Sequence, residues 1–365
     1  MKRLLCLISN MNAGGAETFL MKLYRNLNRQ EYQMDFCINV FEHCFYEDEI
    51  LSLGGKIFRI PARTKHFFQH NKQLTDIVRN YHYERVLVVS SNATCFLDLK
   101  ICQQSGVKIR AVRSSNSKCS DSMIGKIVHN YGVKHWSKYA NLKIAPSDLA
   151  ALFLFGKDAV DKNDVLFLRN ALDLNTYCFK PEGREKIRRE LNIGKDTVVF
   201  GHVGRFYEQK NHDFLVEIFS EIVKRQKNSV LLLVGSGALE EDIRKKVDML
   251  RIKDKVFFVG TRKDIPDLLS AMDVFVFPSF FEGMPNTVIE AQSTGLNCII
   301  SDTITREANI TGNVIYLSLN ETKEKWAEMA LDLLAKPRMN IKNDLIENGY
   351  DITTCARIFE KAIFK

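Results

Sequence analysis

No D-x-D triplet occurs anywhere in the 365 residues. The acidic clamp that fixes a divalent cation beside substrate phosphates is therefore not implied, and neither a metal nor any other cofactor is expected. No apolar run approaches the roughly 18 residues needed to span a bilayer, and the short segment Leu4–Ser9 lacks the flanks of a signal peptide. The expected location is the cytosol. Nine cysteines are scattered without a C-x-x-C pair or zinc-like spacing, which fits idle thiols in a reducing compartment better than a disulfide framework or a metal site. A G-x-G-x-x-G turn is also missing, which counts against a dinucleotide-dependent oxidoreductase. No basic run interleaved with aromatics forms a nucleic-acid recognition motif, so nucleic acid is not an expected partner.

What is present describes a globular chain long enough for two domains, with 45% hydrophobic and 26% charged residues. The formal charge of +8 is uneven, because residues 1–173 hold 24 Lys/Arg against 16 Asp/Glu while the remainder is balanced at 28 each. All the excess lies in the first half, which suggests an anionic ligand or surface there. Strand-like runs alternate with helix-like ones: Arg3–Ser9, a helix from Ala16, Met34–Val40, Lys56–Ile60, a helix from Asn71, Arg85–Ser90, then strands near Lys108–Val112 and Leu142–Ala145. That alternation predicts a doubly wound parallel sheet. The charged stretch Lys180–Lys195 reads as a linker followed by a short helix, after which a second alternating series begins.

In the second series, Phe281 to Ala291 reads F-E-G-M-P-N-T-V-I-E-A after the apolar run D-V-F-V-F at Asp273–Phe277. Gly283 and Pro285 end that strand and open a helix near Asn286. The N–H groups of Asn286, Thr287 and Val288 are expected to face a phosphate at a strand's carboxyl end. Met284 lies in the same turn. Glu282 and Glu290, eight apart, bracket it, and carboxylates accept hydrogen bonds from sugar hydroxyls. Upstream, V-G-R at Val203–Arg205 and K-N at Lys210–Asn211 place Gly204 and two cations on one strand-to-helix loop, suited to neutralising a diphosphate. The tight loop at Gly235 and Gly237 follows, then G-T-R ending at Arg262, which is expected to border a nucleobase. In the first half, Gly14 and Gly15 allow close backbone approach at a helix start.

The E-x7-E spacing, together with V-G-R, K-N and the glycine turns in this order, resembles the signature of family-4 retaining glycosyltransferases. The resemblance implies an α/β GT-B fold: two Rossmann-like doubly wound domains facing a cleft, residues 1–171 with a returning helix 352–365 binding the acceptor and residues 172–351 binding a nucleotide sugar. It further implies that Glu290 binds the nucleotide ribose, Glu282 the donor sugar, and Arg205 and Lys210 the departing diphosphate, while Gly14 and Gly15 face the donor. The catalytic set implied is Glu282, Arg205, Lys210 and Arg113. The last stands where relatives often carry a His, in Arg113-Ser114-Ser115-Asn116, and His129 is a weaker substitute. The segment L-R-N-A-L-D at Leu168–Asp173 resembles the family's P-N-G-x-D but departs from it at Arg169 and Ala171. Expected partners are a UDP- or GDP-sugar and a glycan or lipid-linked saccharide acceptor in cell-envelope polysaccharide synthesis. An epimerase of the same fold and a non-catalytic nucleotide-sugar-binding subunit are the alternatives.

Residues Ser122–Tyr139 place Ile124, Ile127, Val128, Tyr131 and Trp136 at helical spacing, flanked by Lys126, Lys134 and Lys138. Such a stripe either packs on the core or, with its basic flank, meets an anionic membrane surface. The stretch Thr64–Asn71 reads as a loop exposing Phe67 and Phe68.

Overall fold

The computed structural model of the chain describes residues 1–90, 92–115 and 122–365; Asn116, at the end of the R-S-S-N segment, lies outside them. The chain divides into two compact units, Met1–Ala171 with Gly349–Lys365, and Leu172–Asn348. The first unit holds strands β1 (Lys2–Leu7), β2 (Tyr32–Ile38), β3 (Ile57–Arg59), β4 (Arg85–Ser90), β5 (Ile109–Ser114), β6 (Leu142–Ala145) and β7 (Leu166–Phe167). The second holds β8 (Val198–Val203), β9 (Ser229–Val234), β10 (Val256–Phe258), β11 (Val274–Phe277), β12 (Asn297–Ser301) and β13 (Val314–Leu317).

Near-continuous apolar runs such as V-L-V-V in β4 and V-L-L-L-V in β9 make these strands hydrophobic on both faces, so both faces need helical cover. The pairings are parallel, with Leu4 opposite Met34 in the first unit and Phe200 opposite Leu231 and Val274 in the second. Each sheet carries two apolar layers. In the first unit one layer contains Phe19, Leu20 and Leu23 together with Phe359 and Ile363 of the C-terminal helix Ile352–Phe364. The opposite layer contains Leu74, Phe96 and Leu154. The C-terminal helix is fixed by Asp351, whose carboxylate accepts from Thr354 N at 2.8 Å, and by Phe364 stacked on Tyr32 at 4.4 Å.

Strand order decides where ligands can enter. It runs β3-β2-β1-β4-β5-β6-β7 in the first sheet and β10-β9-β8-β11-β12-β13 in the second, reversing between β1 and β4 and between β8 and β11. At such a reversal the flanking loops diverge and leave a crevice beyond the strands' carboxyl ends.

Two local expectations change. The stretch expected to be a loop up to Asn71 is helical from Phe67, in Phe67–Asn80, so Phe67 and Phe68 project from a first helical turn. The helix Met123–Trp136 does not direct one stripe inward: His129 and Gly132 are buried, Val128 and Trp136 half-buried, and Met123, Ile124, Ile127 and Tyr131 face solvent. At about 100° per residue these apolar side chains fall on separate arcs. One arc packs; the other stays bare.

Candidate active site

The reversal between β8 and β11 places the loop after Val203 beside the loop after Phe277; Gly204, Arg205, Lys210 and Asn211 lie on the first and Glu282 on the second, with Glu290 on the helix that follows. A 3₁₀ turn, Glu208–Lys210, ends at Asn211, whose left-handed backbone (φ 54°) starts the helix His212–Arg225. Asn tolerates that conformation better than most residues. Asn211 Nδ2 donates to Pro278 O at 3.1 Å, Gln209 Nε2 to Phe281 O at 2.9 Å, and Phe280 N to Gln209 O at 2.9 Å. The two loops are thereby held as one rigid rim.

On this rim Lys210 Nζ donates to Glu282 Oε1 at 2.7 Å, with side-chain exposures of 16% and 9%. The ammonium also lies 4.7 Å from the Phe277 ring centroid. Two of the expected catalytic residues, 72 positions apart, thus form one charge-assisted hydrogen bond. Arg205 is exposed, lies 5.2 Å from the Tyr207 ring, and among the described residues has no ion-pair partner. A cation so placed is available to an incoming anion.

The helix Asn286–Ser293 begins after buried Pro285 with no side-chain cap. Pro285 O accepts from Val288 N at 3.0 Å and from Ile289 N at 3.3 Å. The expectation for Val288 is corrected here: its N–H is engaged inside the helix because Pro285 is the capping carbonyl. Thr287 Oγ1 is buried without a partner among the described residues. Gly283, Met284, Asn286 and Glu290 are partly exposed on the same turn and helix.

Gly204 N donates to Val234 O at 2.9 Å and Phe206 N to Ser236 O at 3.1 Å, which draws the loop after β9 against the loop after β8. A Cβ on Gly235 would lie 2.1 Å from Gly204 O, and one on Gly237 2.5 Å from Phe206 O. Both glycines are therefore required by backbone contact. Arg262 has a different place from the one expected: its guanidinium bridges Glu190 (2.6 and 3.1 Å) and Asp264 (2.8 and 2.7 Å), engaging four of its five N–H groups. The hydrogen bonds it donates to Asp264 and then to Glu190 raise its pKa. It ties the helix Pro181–Glu190 to the loop beyond β10 rather than presenting a free edge.

Sequence reasoning gave no role to two imidazoles under this rim. His202 and His212 are buried, 4.7 Å apart edge to face, and His212 stacks on Phe206 at 4.1 Å. Burial and then Lys210 push His212 down to about 4, and burial holds His202 well below the ordinary range. Both are neutral supports, so acid should loosen the unit. The unfolded chain protonates below about 6.5, whereas folded His212 resists until about 4. Its contribution is therefore complete above that ordinary value and is lost as pH falls through this window, by roughly 2–3 kcal/mol. Urea melts at pH 7.5 and 4.5 should show the drop, and His212→Phe should flatten it; an unchanged slope in the variant would remove His212 from the account.

In the first unit Gly14 caps the helix Gly15–Asn26, and a Cβ there would meet the Glu17 carboxylate at 2.4 Å. Burial raises the Glu17 pKa. Arg113, at the end of β5, is 2% exposed. Its Nη2 donates to Asn170 Oδ1 at 2.6 Å, its guanidinium covers Phe19 at 4.1 Å, and its Nε has no partner among the described residues. Burial pushes it down to about 10. His129 is no substitute, because Nδ1 accepts from Ala93 N at 3.2 Å and Nε2 donates to Phe153 O at 2.9 Å.

Comparison with known proteins bears on the family and the fold. The sequence profile described as Glycosyl transferases group 1 matches residues 183–352. Glycosyltransferase EpsF of Bacillus subtilis is 34% identical over 359 residues, spanning 96% of this chain and 93% of that protein. The UDP-Gal:alpha-D-GlcNAc-diphosphoundecaprenol alpha-1,3-galactosyltransferase of Escherichia coli is 37% identical over 160 residues, 42% of this chain and 39% of the relative. Among solved structures, Anabaena HepE in complex with UDP and glucose superposes with a TM-score of 0.77 at 16% identity, covering 99% of both chains.

Proposed function

The chain belongs to the glycosyltransferases of group 1, with the GT-B fold, and from that premise we propose that it transfers a hexosyl unit, with retention at the anomeric carbon, from a UDP- or GDP-sugar to a glycan or lipid-linked saccharide in cell-envelope polysaccharide synthesis. The observation that carries this reading is the Lys210–Glu282 pair on the rim at the β8/β11 reversal, together with Arg205, which has no ion-pair partner among the described residues, and the start of the Asn286–Ser293 helix. Negative charge grows on the departing diphosphate as the glycosidic bond breaks. Fixed cations and helix N–H groups there lower the barrier rather than only tightening binding. Glu282 acts best as the group that positions Lys210 and accepts from donor hydroxyls. A carboxylate already bonded to an ammonium is a weakened nucleophile, which favours a front-face path in which the leaving phosphate oxygen takes the acceptor's proton.

Uridine is the favoured base, supported by the UDP-galactose-using relative. Radiolabelled UDP-, GDP- and ADP-sugars, scored for transfer, hydrolysis and epimerised product, test the proposal. Slow donor hydrolysis and transfer without epimerisation are expected; an epimerised sugar, or binding with no turnover, selects one of the alternatives.

Among the described residues no three His, Cys, Asp or Glu side chains group as a metal site. With cations in place to meet the diphosphate, activity should survive EDTA. Complete loss restored by Mg²⁺ or Mn²⁺ would overturn that expectation.

The bare arc of the Met123–Trp136 helix completes the proposed setting. Ile124 is 74% and Ile127 63% exposed, and Lys126, Lys134 and Lys138 are exposed around them. No helix among the described residues is long and apolar enough to cross a membrane. This arc is assigned to an anionic lipid surface, which would keep the protein peripheral on the cytoplasmic face. Each juxtamembrane cation contributes on the order of 1 kcal/mol, screened beyond about 8 Å at physiological salt. In vesicle flotation the protein should rise with anionic lipid and be released by salt, and replacing the three lysines by Gln should abolish recovery. Equal recovery with neutral lipid would sink the assignment.

A further inference from the structure

The second strand-order reversal, between β1 and β4, also opens a crevice, and nothing above uses it. A cavity of about 210 Å³ lies there, bounded by the carboxyl ends of β1, β2 and β4 and by the segment after β3. Hydrogen-bonding side chains line it: Ser9, Asn39, Thr64, Ser90 and Asn92. On one side of it stands a cluster of three titratable groups. The Asp98 carboxylate is bonded to Arg63 Nη2 and lies 2.8 Å from His70 Nε2. His70 Nδ1 lies 2.8 Å from Pro61 O. Side-chain exposures of Arg63, His70 and Asp98 are 12%, 5% and 14%.

Asp98 is the one carboxylate among the lining residues, and it is shared between Arg63 and His70 in a largely buried place. Arg63 Nη1 donates to Asn71 Oδ1 at 2.7 Å, and its Nε is buried without a partner among the described residues. A buried guanidinium donor left without an acceptor is costly, and an oxyanion entering the cavity would remove the cost.

We propose that this cavity seats a small oxyanion, a phosphate or a carboxylate, carried by a hydroxylated ligand about the size of one sugar unit. Taking that ligand to be the acceptor rests on the transfer reading; the anion preference does not. With a phosphate the source is a sugar phosphate or lipid diphosphate, and with a carboxylate it is an acidic sugar.

Calorimetric titration of the full chain, with UDP added to occupy the donor site, tests this with glucose, glucose 1-phosphate and glucuronate as probes. At least one of the two anions should bind tenfold or more tighter than glucose, and which one identifies the source. Arg63→Gln should erase that advantage, and His70→Gln should reduce it, in protein that still melts cooperatively. Equal binding of all three probes, or an anion preference unchanged in both variants, overturns the proposal. Should UDP fail to bind while the anion preference persists, the transfer reading falls and the cavity assignment stands.

Discussion

Lys210→Ala is expected to lower kcat by about 100-fold or more, the scale for losing a main charge partner of the transition state, with a smaller loss of donor affinity. The same change leaves Glu282, only 9% exposed, without its ammonium. Breaking a buried pair from one side costs about 3 kcal/mol, so the variant should also melt early. That raises a question of interpretation, and a second substitution answers it. In Lys210→Ala with Glu282→Gln the stranded charge is gone, so stability should largely return while the rate stays low. Arg205→Ala supplies the complementary case: the side chain is exposed and unpaired among the described residues, so turnover should again fall about 100-fold with melting unchanged. Near wild-type turnover in both single variants would place the diphosphate elsewhere. Recovery of rate together with stability in the double variant would make Lys210 a structural residue.

Gly235→Ala should be the most disruptive small substitution in the second unit. Gly235 has φ +138°, a backbone conformation that L side chains rarely adopt, and its Cβ would stand 2.1 Å from Gly204 O. Strain and overlap act together, at a cost on the order of 3 kcal/mol or more. The collision falls on the residue before Arg205, so the loop carrying both cations must shift. Donor binding should weaken at least tenfold even in the fraction that folds. Gly260→Ala is a suitable control: its φ of +67° also strains an L residue, but no atom lies within 4 Å of the added Cβ. If both variants lose the same stability and neither loses donor binding, contact between the two loops is not what shapes the site.

Much of this architecture is legible in the chain because buried parallel strands leave a local trace. Runs such as V-L-L-L-V can only be covered on both sides, and Gly-Gly, V-G-R and G-M-P-N mark where strands give way to loops. The pairing of Lys210 with Glu282 left no such trace. It arises from the strand order that sets β8 beside β11, a non-local fact. His202 and His212 were equally opaque, since a His within an apolar run reads the same whether its nitrogens meet solvent or a closed aromatic layer. Arg262 misled for a related reason: its position beyond β10 fits a base-edge contact, but Glu190, 72 residues earlier, takes the guanidinium. Phe67 and Phe68 looked like loop residues because no polar cap announces their helix, which begins after His66 without a side-chain cap.

A crystal structure with bound UDP decides where the diphosphate sits. It is expected within hydrogen-bonding distance of Lys210 Nζ, with Arg205 turned onto it and the first turn of the Asn286–Ser293 helix pointing at a phosphate. A nucleotide bound away from the β8/β11 reversal, with the Lys210–Glu282 pair and Arg205 unchanged, would contradict that placement.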